Sequence, residues 1–172
     1  GKCVPNPLEY KNVVLLGGTH KTLPSAACGL IMTNNQIYNK QIDSKVTPDY
    51  LRDIQPNHIA SLLLALIEQI KYGEEYQHII VTLANKLGKY LEKYGFKIAQ
   101  IDSNVYTKTH QLFILMNKEE ADNFYMTAQK YNISLNQKHK KLFSDDGIRV
   151  GTQQIARFNW NDDDIVLLAE LL

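Results

Sequence analysis

The sequence predicts an α/β protein whose C-terminal part is an α+β subdomain built on a small antiparallel sheet. Three observations predict this class: two short apolar runs near the N-terminus, a long stretch of apolar residues at helical spacing, and a later alternation of strands with helices. We place a boundary after residue 72. Residues 1–72 are then part of a larger domain, and residues 73–172 form a small C-terminal domain.

The first predicted element is a pair of strands. Residues 13–16 are valine and leucine and end at a glycine pair, and residues 29–33 are a second apolar run that ends at an asparagine pair. Both runs are typical of buried strands. The segment between them is too short for a crossover helix, so we expect antiparallel neighbours with Lys21 on their connection.

Two helices are predicted next. Apolar residues recur at three- and four-residue spacing over residues 56–72, which indicates a helix with one buried face, and Gly73 is expected to end it. A second helix is predicted over residues 75–94 and closed by Gly95, because glycine favours the left-handed conformation found at helix ends.

After Gly95 the predicted order is strand, strand, helix, strand, strand, helix. Helices in such an order cover one face of a small antiparallel sheet. Asn161 or Asp162 can cap the last helix. The predicted strands are residues 96–98, 112–115, 133–135 and 147–151, and the predicted helices are residues 118–131 and 162–172.

Composition and charge argue against several classes of function. The chain has 172 residues with 44% hydrophobic content, and its 19 basic residues nearly balance its 18 acidic ones. No strong electrostatic field is therefore available to attract nucleic acid or an anionic membrane. The apolar stretch over residues 59–67 is about half as long as a bilayer requires. We predict neither nucleic-acid nor membrane binding.

Cysteine usage and the start of the chain give two further expectations. Cys3 and Cys28 lack CxxC spacing and suit a reducing compartment, so we predict a cytoplasmic protein. The chain begins with Gly1 and reaches a strand within a few residues, which we interpret as a piece of a longer polypeptide. Three scattered histidines, His78, His110 and His139, show no metal-ligand spacing; we predict no metal site and interpret them as surface or packing residues.

Lys21 is the first candidate functional residue. It follows a short apolar strand and lies in the run Thr19-His20-Lys21-Thr22. An amine that attacks a carbonyl needs a rigid strand end to aim it, small neighbours to admit a flat cofactor, and partial desolvation that favours the neutral form. Most lysines at strand ends are nevertheless solvated surface groups, so the local pattern leaves both interpretations open.

Four stretches of the chain together carry a resemblance to a known family. They are Pro-Asn-Pro at 5–7 with Thr-His-Lys-Thr-Leu at 19–23, His-Ile-Ala at 58–60, Asn-Ile-Ser-Leu-Asn at 132–136, and Gly-Ile-Arg-Val-Gly-Thr at 147–152. The chain resembles serine hydroxymethyltransferase, a fold-type-I pyridoxal-phosphate enzyme, from the cofactor lysine to the C-terminus. The resemblance implies the α/β fold of that class, with residues 1–72 as the end of its cofactor-binding large domain.

The resemblance also implies roles for residues near the lysine. Lys21 is then the Schiff-base lysine that holds pyridoxal 5'-phosphate, with Thr19 and Thr22 near the cofactor. His20 is implied to line the site, where it could tune or relay protons. On chemistry alone His20 fits a packed, hydrogen-bonded histidine equally well.

Arg149 is the second residue to which the resemblance gives a role. It is implied to bind the substrate carboxylate, since a planar guanidinium forms two parallel hydrogen bonds with a carboxylate. Residues 53–58 precede a helix whose free amide groups suit a phosphate. In this fold that contact usually reaches the neighbouring subunit's cofactor, so the resemblance implies a homodimer.

Departures from the family pattern leave the reaction open. Residues 24–29 lack the arginine- and glycine-rich turn, Gln153 and Gln154 stand where Pro-Ala is usual, and Lys138 aligns with a folate-contacting asparagine. Whether the reaction depends on tetrahydrofolate is therefore left open. A fold-type-I aldolase, transaldolase, aminotransferase or basic-amino-acid decarboxylase fits these changes, and so does a non-catalytic relative used for association.

The resemblance covers only part of an active site. In the family, the aspartate that pairs with the pyridine nitrogen and the loop that cradles the phosphate precede the Pro-Asn-Pro segment at 5–7. We therefore expect this chain alone to be inactive. Its predicted partners are the missing N-terminal part of the same enzyme, a second copy in a homodimer, and an α-amino acid substrate.

Overall fold

The computed structural model of the chain describes residues 5–140 and 145–172. It divides into one unit that ends at Glu74 and a second unit that begins at Glu75. Among the described residues, no helix is both long enough and apolar enough to cross a membrane.

The first unit contains the predicted strand pair. Strand β1 (Leu15–Gly18) pairs with strand β2 (Gly29–Met32), and their antiparallel register confirms the prediction that Lys21 lies on the connection. The prediction that both strands are buried is wrong for this unit, because Leu16 is 70% exposed and Ile31 is 47% exposed. A ribbon of two strands has too few neighbours in residues 5–74 to cover its apolar side chains.

Helix α1 (Gln36–Lys45) follows β2 and was not predicted from the sequence. The side-chain oxygen of Asn35 accepts hydrogen bonds from two backbone N–H groups of the first turn, which makes Asn35 the helix cap. The segment Val46–Tyr50 follows α1 and contains a kink, because Thr47 has an extended conformation with φ -122° and ψ 121°. The asparagine pair thus begins a helix as well as ending a strand.

Helix α2 runs without interruption from Pro56 to Lys93. The prediction of two helices separated at Gly73 is therefore wrong. A glycine inside a helix costs only about 1 kcal/mol relative to alanine, which the apolar contacts of a long helix can offset. The predicted end at Gly95 is confirmed: its φ is 91°, and the N–H of Phe96 bonds the carbonyl of Leu91.

The second unit holds an antiparallel sheet of four strands. The strands are β3 (Lys97–Ile98), β4 (Gln111–Met116), β5 (Asn136–Lys140) and β6 (Asp145–Gly151), and their order in the sheet is β3-β4-β6-β5. The described α-helices of this unit after α2 are α3 (Lys118–Lys130) and α4 (Asp162–Leu171), and Asn161 caps α4 as predicted.

One predicted strand lies at a different place. Residues 133–135 are not a strand, and β5 begins at Asn136 instead. The reason is the end of α3: Asn132 is left-handed with φ 60°, and the N–H of Ile133 bonds the carbonyl of Ala128. Ile133 therefore completes a helix end instead of opening a strand.

The core of the second unit lies between the sheet and the helices α2 and α4. Leu112, Ile114 and Ile148 point from the sheet into this core and are almost fully buried. Since side chains alternate along a strand, Phe113 and Arg149 belong to the opposite face of the sheet. Arg149 therefore lies on the face of the sheet opposite to this core.

Two glycines of α2 allow a matched test of this packing. A Cβ added at Gly88 would stand 2.7 Å from Cγ of the buried Tyr106 ring, whereas one added at Gly73 would meet only the flexible end of Gln69, at 3.1 Å. We expect Gly88→Ala to lower the free energy of unfolding by about 1–3 kcal/mol through overpacking. Gly73→Ala, in contrast, should raise it by up to about 1 kcal/mol through helix propensity.

Urea unfolding followed by circular dichroism measures both changes. The two variants share the helix and the substitution, so a difference in propensity cannot explain opposite signs. Equal stability of the two variants would contradict the packing of the Tyr106 ring against Gly88.

Candidate functional site

The candidate lysine lies on a tight connection between β1 and β2. The last residue pair of the ladder is Gly18 with Gly29, and the N–H of Thr19 then bonds the carbonyl of Cys28 at 3.0 Å. Lys21 follows two residues after this point, and its side chain is exposed. Its amine is therefore accessible, and the connection that carries it has its two ends joined by the hydrogen bond between Thr19 and Cys28.

Thr19 closes this connection from inside. It is fully buried, and its hydroxyl accepts the N–H of Cys28 at 2.9 Å and donates to the carbonyl of Ala26. The N–H of Ala26 in turn bonds the hydroxyl of Ser61 on α2 at 3.1 Å. These contacts fix the part of the connection that follows Lys21, because they tie Ala26 and Cys28 to the side chain of Thr19 and Ala26 to a helix.

The other residues of the run differ in exposure. His20 is exposed, and its Cε1 lies 3.5 Å from the place where a Cβ of Gly18 would stand. Thr22 is half-buried. Ser25, which the sequence did not single out, has a buried hydroxyl without a hydrogen-bond partner among the described residues. An unpartnered buried hydroxyl costs free energy and so indicates a missing partner.

These residues fit the pyridoxal phosphate that the sequence resemblance implies. The amine of Lys21 is accessible, as an attachment point requires, and the unpartnered hydroxyl of Ser25 is a hydrogen-bonding group on the same connection. Gly17, on β1, has nothing within 4 Å of the position that a Cβ would take. A flat ring therefore has open space beside the strand end.

Arg149 lies in the middle of β6, where it is paired with Phe113 of β4 and Asn136 of β5. It is half-buried. A Cβ at the neighbouring Gly147 would stand 1.9 Å from the backbone oxygen of Ile114, so only glycine fits there. The close approach of β6 to β4 at Gly147 holds the strand that carries the guanidinium.

His110 is close enough to Arg149 for the two groups to interact electrostatically, which the sequence interpretation missed. Burial lowers the pKa of the His110 imidazole below its usual value, and the positive charge of Arg149 lowers it further. The carbonyl of His110 accepts the N–H of Thr152 at 3.0 Å, which places the residue one step beyond the β4–β6 ladder. The sequence spacing of the histidines, which was examined for metal binding, could not predict this contact.

The predicted site residues fall in both units. Thr19, His20, Lys21 and Thr22 lie in the unit that ends at Glu74, and Arg149 lies in the unit that begins at Glu75. Across residues 5–140 and 145–172, no group of three or more histidine, cysteine, aspartate or glutamate side chains is arranged to hold a metal ion.

Comparison with known proteins gives a consistent match. The family model described as serine hydroxymethyltransferase matches residues 1–172. The chain is 31% identical to a serine hydroxymethyltransferase of Picrophilus torridus over 97% of this chain and 40% of that protein. It is 29% identical to the Sulfolobus acidocaldarius enzyme of the same name over 100% of this chain and 41% of that protein. The chain thus spans about two fifths of the length of these relatives.

A solved structure shows the same fold. The L-threonine transaldolase of Pseudomonas fluorescens, in its internal aldimine state, superposes with a TM-score of 0.82 over 98% of this chain and 39% of that chain. The sequence identity is 22%, so the likeness concerns the fold. It confirms the predicted fold-type-I α/β class.

Proposed function

The chain belongs to the serine hydroxymethyltransferase family, and we propose that it is the C-terminal portion of a pyridoxal-phosphate-dependent, hydroxymethyltransferase-like enzyme that acts on an α-amino acid. Pyridoxal phosphate is the cofactor of the family, as the sequence predicted. The observation that carries the proposal is the exposed Lys21 on a connection fixed by the buried Thr19. When bound, the cofactor supplies the electron sink for charge that develops on the substrate.

Lys21 is proposed as the Schiff-base lysine. Its amine is carried by a backbone with few degrees of freedom, which reduces the entropy lost when the reacting atoms are brought into line. When it is not attached to the cofactor, the amine of Lys21 would accept or donate a proton at the substrate. His20 is proposed to tune this transfer from the adjacent position.

Thr19 and Thr22 keep their proposed places near the cofactor, with different support. The hydroxyl of Thr19 is engaged with Ala26 and Cys28, which supports a role in shaping the connection. The half-buried Thr22 follows Lys21 directly. The unpartnered hydroxyl of Ser25 joins them as a candidate cofactor contact.

Arg149 is proposed to bind the carboxylate of the substrate. A guanidinium matches a carboxylate with two parallel hydrogen bonds, which fixes orientation as well as affinity. Its place in the middle of a three-strand row, between Phe113 and Asn136, supports this role because a central strand position restricts where the guanidinium can lie.

The remaining part of the enzyme is proposed as the first partner of this chain. Exposed apolar side chains in the first unit support it: Leu16 is 70%, Leu64 is 69% and Ile70 is 87% exposed. Several exposed apolar side chains in one unit favour an interface with another part of the protein, and the relatives are about two and a half times as long as this chain. We propose that the isolated chain is inactive and that the full enzyme is a cytoplasmic homodimer.

The proposal for the acceptor of the reaction depends on one residue, Lys138. Lys138 lies on β5 opposite Gly147, at the position where the family pattern has a folate-contacting asparagine. An aldehyde acceptor, as in an aldolase or transaldolase, is therefore a second candidate beside tetrahydrofolate.

For the domain organisation, we propose a boundary between residues 72 and 73.

Borohydride reduction of the full-length protein with pyridoxal phosphate tests the proposal. We expect a pyridoxyl group to be fixed on the peptide that contains Lys21, because only a lysine in imine linkage is reduced to a stable secondary amine. Mass spectrometry of the digest identifies the modified lysine. A label on another lysine, or none, would refute the proposed role of Lys21.

A further inference from the structure

Gln153 has a buried side-chain oxygen with no hydrogen-bond partner among the described residues. Its backbone is well held, since its carbonyl accepts a hydrogen bond from the hydroxyl of Tyr76 at 2.7 Å. A buried amide oxygen without a donor costs roughly 1–3 kcal/mol, so such groups in folded proteins usually have a partner. The partner of this oxygen must therefore come from outside the described contacts.

The orphaned oxygen lies on the face of the sheet that carries Arg149. A Cβ at Gly151 would stand 2.6 Å from Oε1 of Gln153, and Gly151 is two residues beyond Arg149 on the same strand. Side chains two apart on a strand share a face. Thr152, which lies between Gly151 and Gln153 in the sequence, is buried, and its hydroxyl donates to the carbonyl of Ile80 at 2.9 Å.

His110 borders the same space. Its Cδ2 lies 3.5 Å from the Cβ position of Gly151, and its Nε2 lies 3.2 Å from the amide nitrogen of Gln111. Because an amide nitrogen only donates, Nε2 accepts and the ring proton is on Nδ1. The charge of Arg149 disfavours a second proton on this ring.

We propose that Gln153, beside Arg149 and His110, is a specificity-determining residue whose oxygen accepts a hydrogen bond from a donor on the substrate side chain, a hydroxyl or an amide N–H. The proposal rests on the proposed binding of an amino-acid carboxylate by Arg149. Because Arg149 and the Cβ position of Gly151 share a face of β6, and the acceptor lies beside that position, a ligand held by the guanidinium would share this face with the acceptor. Substrates that lack a donor leave the oxygen unsatisfied and are bound more weakly than those that have one.

The test compares serine with alanine, which differ only by the hydroxyl. Their dissociation constants for the full-length, pyridoxal-phosphate-loaded protein are read from the change in cofactor absorbance. Gln153→Met keeps the length of the side chain and removes the acceptor. We expect it to weaken serine binding about tenfold and to leave alanine binding unchanged, as the loss of one hydrogen bond to a buried group requires.

A matched control and a second variant complete the experiment. Gln154→Met makes the same change one position along, at an exposed side chain that makes no cap hydrogen bond, and should alter neither constant. Gly151→Ala forces the Gln153 amide away from its place and should reproduce the serine-specific loss.

The possible outcomes separate this inference from the proposed function. If the ratio of serine to alanine affinity is unchanged in Gln153→Met, the inference is overturned. The same holds if the variant is also less stable, because another part of the protein would then donate to the Gln153 oxygen. Absence of any absorbance change with either amino acid in the unmodified protein, together with no label on Lys21, overturns the proposed function instead.

Discussion

Replacing Lys21 with alanine is expected to leave the full-length protein folded but to abolish covalent attachment of the cofactor. The side chain of Lys21 is exposed, and the connection around it is held by Thr19 and Ser61, so the fold does not depend on the lysine. The loss of its proton-transfer function alone should slow turnover roughly 10²- to 10⁴-fold.

Three measurements check this expectation on the full-length protein. They are the rate of amino-acid turnover, the mass of the Lys21 peptide after borohydride reduction, and the midpoint of thermal unfolding. Lys11→Ala is the matched control, because Lys11 is also exposed and lies just before β1. A Lys21→Ala protein that turns over substrate at the rate of the Lys11→Ala protein would contradict the assignment of Lys21.

The elements that depend on short-range sequence signals were predicted closely. The antiparallel pairing of β1 and β2 follows from the length of the segment around Lys21, which cannot hold a crossover helix. The end of α2 follows from Gly95, whose φ of 91° is easily adopted only by glycine. In both cases the determining interaction is between residues close together in the sequence.

Two of the three errors came from interactions between distant residues. Gly73 was expected to end a helix, but the packing of the whole of α2 decides whether one glycine interrupts it. The burial of β1 and β2 was overestimated because an apolar pattern does not say which other segment covers it. The third error was local: residues 133–135 were expected to form a strand, but the N–H of Ile133 bonds the carbonyl of Ala128 and completes the end of α3.

The candidate site divides in the same way. Lys21 and Arg149 were singled out from motifs, whereas His110 was interpreted as a surface or packing residue because it lacks metal-ligand spacing. The β4–β6 register brings them together, since Phe113 is paired with Arg149 and His110 lies just before β4. The orphaned oxygen of Gln153 was also beyond the sequence, because an unpaired buried atom is visible only once all its neighbours are placed.

Arg149 gives the second large expected effect, and it tests geometry separately from charge. Arg149→Lys keeps the positive charge on β6 but loses the planar fork that makes two parallel hydrogen bonds with a carboxylate. Hydrogen bonds to charged groups contribute about 1.5–3 kcal/mol, so we expect the KM for the amino acid to rise roughly 10- to 100-fold. The cofactor should still attach to Lys21, because Arg149 has no role in that step.

Steady-state kinetics of the full-length protein, with the Lys21 label as a second readout, separates the alternatives. Arg157→Lys makes the same change at an exposed arginine that lies over the Tyr76 ring, 5.8 Å from its centre, and should leave the KM unchanged. If both variants raised the KM equally, a general loss of arginine packing would explain the effect better than a carboxylate bound at position 149. A rise confined to Arg149→Lys with the label intact requires the guanidinium to contact the substrate, because charge, cofactor attachment and the fold are all retained.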